Sequence, residues 1–160
     1  MADLLALSAD LPVRSVPSDE VLIDEGAAPE RMYVLESGAV TIERNGTPFA
    51  RIDFPGAVFG ELSFVLDTPA TATVRAAGDV VVRVVDDPHE FLTQRPEAAL
   101  AVLRMTAARL DGLTQYRVDV KQQFSGLTGH LGMVDQILDT LVHHQAPKAR
   151  TGSVRDADGH

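Results

Sequence analysis

Residues Phe59–Ala76 read FGELSFVLDTPATATVRA. A Gly-Glu pair opens the stretch, an apolar run follows, and a proline leads into alternating threonine and valine. Gly60 lets the backbone come close to a ligand, because no Cβ stands in the way. A short helix beginning near Glu61 would turn free N–H groups and a positive dipole end toward an anion. Ionised Glu61 is acceptor-only and suits a sugar hydroxyl rather than a phosphate. Yet no arginine lies between Glu61 and Val74. Taken alone, Gly60 fits a tight turn and Glu61 a helix cap equally well.

Outward from this stretch, short β-rich runs alternate with Gly, Pro, Asn and Asp from Val13 to about Val85. VLI at Val21–Ile23, MYVL at Met32–Leu35, VTIE at Val40–Glu43 and FARI at Phe49–Ile52 are strand candidates. ATATVRA at Ala70–Ala76 and VVVRVV at Val80–Val85 follow, separated by Gly78-Asp79. Asn45-Gly46 signals a hairpin, since both residues tolerate positive φ. This spacing predicts about eight strands in an antiparallel sandwich or jelly-roll barrel.

Beyond Pro88 the period becomes helical. HEFLTQ forms a short helix, and Pro96 opens a long one running to about Gln123. Leu100, Leu103, Ala107, Leu110 and Leu113 or Thr114 recur on one face. That stripe fits packing on the barrel or on a second subunit. SGLTG at Ser125–Gly129 breaks the pattern, and Leu131, Val134, Leu138 and Leu141 line a further amphipathic helix. A short helical turn is expected at Ala2–Leu7. The expected organisation is an α+β domain over 1–124, a short helical extension over 125–144 and a disordered tail over 145–160.

With 160 residues, 45% of them hydrophobic, the chain can bury one sizeable core. A formal charge of −9 argues against broad charge-driven binding to nucleic acid or anionic membranes. The N-terminus lacks the pattern of a signal peptide and no segment has the length of a membrane span, so a cytoplasmic protein is expected. There is no cysteine, which excludes disulfides, thiolate metal sites and a cysteine nucleophile. All five histidines (His89, His130, His143, His144 and His160) fall outside the strand candidates. A metal-dependent barrel enzyme would need histidines on its strands. No GxSxG nucleophile elbow appears either, so neither an enzyme nor a metal or cofactor is expected.

The glycines form a series: Glu25-Gly26 after a strand, Ser37-Gly38 after MYVLE, and Pro55-Gly56 before FGEL. Together with FGEL and the following proline segment, the series resembles the cyclic nucleotide-binding domain family, including the sensor domains of catabolite-activator-type regulators. The resemblance covers roughly Val13 to Gln123. It implies that Glu61 binds a sugar 2′-hydroxyl, that the backbone near Gly60 and Leu62 faces the sugar-phosphate, and that Phe59 belongs to the same ligand-binding stretch. It also implies that the helix after the barrel closes over the base, with Leu110, Leu113, Thr114 and Tyr116 nearest.

The family pattern is Pro-Arg-x-Ala-Thr-Val, whereas this chain has Pro69-Ala70-Thr71-Ala72-Thr73-Val74. Ala70 therefore occupies the position of the phosphate-binding arginine. Thr71 retains a hydroxyl. Loss of a charge-assisted contact removes roughly 1.5–3 kcal/mol, or about 10- to 100-fold in affinity. Arg51, Arg75 and Arg83 are the candidate substitutes. Arg75 is the best of them, because it shares a strand face with Thr71 and Thr73.

A stand-alone sensor with weakened or altered binding of cyclic AMP, cyclic GMP or a related anion is the expected function. Its alternative is a degenerate, non-binding domain that acts as a protein-protein interaction module with an unknown partner. A truncated activator-type regulator is a third, although too little chain follows the long helix for a DNA-binding domain. A homodimer through the long helix is also expected.

Overall fold

Why the strand run MYVL is unbroken by polar residues becomes clear from its surroundings. In the computed structural model, which describes residues 3–124, it belongs to β3 (Met32–Ser37), a strand buried on both faces. Tyr33 and Leu35 point into the space between two sheets, while Met32 and Val34 point to a layer of helices. A strand covered on both sides has no solvent face to mark with polar residues. Fully burying side chains such as Met32 and Leu35 stabilises by about 1.5–3 kcal/mol each.

The remaining strands are β1 (Val13–Val16), β2 (Val21–Ile23), β4 (Val40–Arg44), β5 (Thr47–Ile52), β6 (Val58–Phe59), β7 (Thr73–Ala76) and β8 (Val80–Val85). They form two four-stranded antiparallel sheets, ordered β1-β8-β3-β6 and β2-β7-β4-β5. The architecture is a sandwich rather than a closed barrel. The hairpin expected at Asn45-Gly46 joins β4 to β5, with φ of 51° and 75° at the two residues. A bulge shifts the register between Ile42 and Glu43, where Ala50 and Pro48 are the successive partners. The run ATATVRA is a strand only from Thr73 onward, because the three residues before it form the exit from a loop.

Between the sheets lie Val16, Leu22, Tyr33, Leu35, Val40, Phe59, Val74 and Val82. The outer face of the first sheet is covered by α1 (Leu4–Leu7), α3 (Pro88–Gln94) and the start of α4 (Pro96–Phe124) through Leu4, Phe91, Ala98 and Val102. α4 contributes alanine and valine to this layer. The leucine stripe faces elsewhere: Leu100 and Leu103 are exposed.

Arg95, between α3 and α4, ties down the N-terminal segment. Its guanidinium donates to both Asp10 carboxylate oxygens at 2.6 and 2.5 Å, and to the Leu7 carbonyl at 2.6 Å. It also stands over the Phe91 ring, 5.0 Å from the centroid. The hydrogen bonds from Arg95 hold the Asp10 carboxyl below its usual range. The pair's contribution is therefore complete above the usual carboxylate pKa and is lost as pH falls through the lowered value.

Contacts separate the residues up to Ala108 from those that begin at Arg109. Among the latter, Leu110, Leu113 and Tyr116 are exposed, and the Thr114 hydroxyl donates to the Leu110 carbonyl at 3.0 Å. The helical extension over 125–144 and the tail over 145–160 lie outside the described residues. No helix among the described residues is long and apolar enough to cross a membrane.

Candidate functional site

The buried pair Val58-Phe59 carries the chain into a turn at Gly60, where φ is +87°. A Cβ at Gly60 would stand 2.6 Å from the Arg31 carbonyl oxygen and 3.3 Å from Ile23 Cδ1. Both the left-handed conformation and the close approach require glycine. The short helix α2 (Glu61–Leu66) starts immediately afterwards. Glu61 suits its first turn, where a carboxylate complements the helix dipole. With six residues, α2 aligns fewer peptide dipoles than a long helix does, so a full counter-charge for an anion must come from side chains. Asp67, in the left-handed region at φ 51°, ends the helix.

Glu61 is 3% exposed, and Ser63 beside it is also buried. Such burial is uncommon for a carboxylate unless it has a partner. On the apolar side of α2, Leu62, Val65 and Leu66 are exposed.

A cavity of about 280 Å3 brings two of the sequence-selected residues together: Gly60 and Ala70 line it with Ile23, Tyr33, Ser63 and the 27–31 loop. Ala70 is held there by its backbone. Its N–H donates to the Ala27 carbonyl at 2.8 Å, and its carbonyl accepts from the Gly26 N–H at 2.7 Å. The Glu25-Gly26 turn thus fixes the exit of the loop. Two arginines border the cavity, and both already have carboxylates: Arg14 pairs with Glu20, and Arg31 with Asp86 at 2.9 Å.

The other selected residues are placed differently. Phe59 belongs to the core between the sheets, and Leu62 is exposed on α2. Thr71 is exposed before β7 begins. The Thr73 hydroxyl accepts from the Glu25 N–H at 3.1 Å. Arg75 is not brought to Gly60 and Ala70. Its neighbours Val74 and Ala76 face the core, so period-2 alternation turns Arg75 to the outer face. There it donates to Glu43 at 3.2 Å and to the Asp19 carbonyl at 3.0 Å. Arg51 shares that outer face, since both arginines are register partners of Thr41. Arg83 lies on the helix-covered face of the first sheet, paired with Glu36 at 2.8 Å.

Arg44 stands close to the same loop. Its Nε donates to the Thr71 carbonyl at 2.9 Å, which brings the side chain to the residue next to Ala70. The signal was present in VTIER: alternation puts Val40, Ile42 and Arg44 on one face.

A family model described as cyclic nucleotide-binding domain matches residues 13–92. The cAMP-dependent protein kinase regulatory subunit of Blastocladiella emersonii is 35% identical over 77 residues, covering 46% of this chain and 19% of that protein. The acetyltransferase Pat of Mycolicibacterium smegmatis is 31% identical over 103 residues, covering 62% of this chain and 31% of that protein. The chain thus spans less than a third of either relative's length. The catabolite activator protein of Thermus thermophilus superimposes with a TM-score of 0.60 at 21% identity, covering 72% of this chain and 57% of that one. Its likeness concerns the fold, with the same antiparallel sheets and short helices. With the family model spanning the sandwich and the Gly60–Ala76 stretch, the chain belongs to the cyclic nucleotide-binding domain family.

Proposed function

We propose that the chain is a regulatory domain that binds a cyclic nucleotide or a related organic anion weakly. The observation that carries this reading is the meeting of Gly60 and Ala70 in one cavity, with the buried Glu61 next in the chain. The loop is kept and its own cation is missing. The regulatory relative, named for cAMP dependence, makes cyclic AMP the first ligand to try. Its kind also favours a regulator over an enzyme.

Calorimetric titration of the full chain with cyclic AMP and cyclic GMP tests the proposal. Saturable binding that weakens about 10-fold or more in Glu61→Ala is expected, as for a lost hydrogen bond to a charged group. Absence of heat with either nucleotide would reject it.

One observation favours a second reading, an interaction module: α2 exposes Leu62, Val65 and Leu66, at 44%, 64% and 59%. Adjacent exposed apolar side chains of this kind mark interaction surfaces. Under this reading the nucleotides give no heat while the fold is intact.

We further propose that two copies pair through α4, whose Leu100, Leu103, Leu110 and Leu113 are exposed on the helix. Burying such a stripe is favourable by the apolar area it removes from water. Light scattering at tens of micromolar should give twice the chain mass, and a monomer mass would remove this part of the proposal.

A further inference from the structure

The anion-binding reading leaves open where a counter-charge comes from. We propose that Arg44, from strand β4, supplies the cation that Ala70 lacks, so that the anion is gripped from a neighbouring strand instead of from its own loop. This inference rests on the anion-binding reading above.

Three observations lead to it. The register is the first: Val40 faces Ala76 and Ile42 faces Val74, all of them on the inner side of the second sheet. Arg44 follows two residues after Ile42 and continues that face. The bulge between Ile42 and Glu43 places the extra residue, Phe49, on β5, so the alternation along β4 is undisturbed.

The second is the anchor. The hydrogen bond from Arg44 Nε to the Thr71 carbonyl, 2.9 Å long, fixes the guanidinium beside the residue that follows Ala70. An arginine carries five N–H donors in a rigid fork, and one bond to a carbonyl neutralises none of its charge.

The third is the absence of a competing carboxylate. Among the strand arginines, Arg14 is paired with Glu20, Arg75 with Glu43 and Arg83 with Glu36. Arg44 and Arg51 form no ion pair among the described residues. Arg51 faces outward, which leaves Arg44, exposed at the end of β4 and bonded to the Thr71 carbonyl, as the strand cation with unclaimed charge. In a chain of net charge −9, an unneutralised arginine beside an anion-binding loop is well matched to a phosphodiester or another small organic anion.

Titration of the full chain with cyclic AMP tests the assignment, comparing wild type, Arg44→Met, Arg44→Lys and the double variant Arg44→Met/Ala70→Arg. Arg44→Met should weaken binding about 10-fold or more, the scale of one charge-assisted contact. Arg44→Lys should recover part of the loss, because lysine keeps the charge without the fork. The double variant should recover it as well, because its cation returns from the loop.

Wild-type affinity in Arg44→Met would overturn the assignment and leave the functional reading standing. Weakening that Ala70→Arg cannot rescue would overturn it too, since Arg44 would then hold structure rather than charge. Failure of every form to bind would remove the functional reading together with it.

Discussion

Cyclic AMP should bind Ala70→Arg about 10-fold or more tightly than it binds wild type. Ala70 is nearly buried at the cavity wall, and two backbone hydrogen bonds to Gly26 and Ala27 fix its position. An arginine there starts from a rigid backbone, so little ordering is needed when its guanidinium meets a phosphate. A charge-assisted contact of that kind contributes roughly 1.5–3 kcal/mol. The negative charge of the chain adds to the attraction of the fork for its own carboxylates and keeps the gain toward the lower end. The ligand-free variant should melt below wild type, because a buried guanidinium without a partner is costly. Saturating nucleotide should reverse that order by mass action. Calorimetry and thermal melts read both effects, and equal affinity in the two proteins would show that position 70 does not face the ligand.

The second large effect concerns Gly60→Ala. A left-handed conformation costs an ordinary residue roughly 1–2 kcal/mol. The added Cβ would also stand 2.6 Å from the Arg31 carbonyl oxygen, a backbone atom with no rotamer to change. Overpacking of this sort costs about 1–3 kcal/mol more. The sum, about 2–5 kcal/mol, should lower the melting temperature by roughly 5–15 °C. Gly26→Ala is the matched control. Its φ is +84° and nothing lies within 4 Å of the new Cβ, so it isolates the backbone term. Equal losses in the two variants would mean that the loop moves aside and that the close contact at Gly60 carries no weight.

What could be read in the sequence was what neighbouring residues determine. Asn45-Gly46 announced its hairpin because positive φ is a local property. VVVRVV and the Pro96 helix start were legible for similar reasons. β6 was not, since Val58-Phe59 is too short to show a period. On α4 the leucines drew attention, but Ala98 and Val102 make the contact with the sheet. Gly60 and Glu61 could be singled out because their chemistry is contained in adjacent residues. The strand face of Arg44 could be read from VTIER, but its partner, Thr71, is 27 residues away and meets it only through the pairing of β4 with β7.

The pairing of β1 with β8 has a consequence for how the chain is made. Val13 is the register partner of Arg83, and Val16 of Val80. Synthesis from the N-terminus must therefore pass Val85 before the first sheet can acquire its edge. Until then Val16 lacks a strand beside it, and Met32 and Val34 lack the helix layer, whose Phe91, Ala98 and Val102 are made later still. Such long-range closure is slow compared with local helix formation. A nascent chain held at this stage presents apolar strand surface to its neighbours, which is the form most exposed to aggregation. The hairpin of β4 and β5, closed by a two-residue turn, can assemble on the ribosome, whereas the first sheet must wait for nearly the whole domain to emerge.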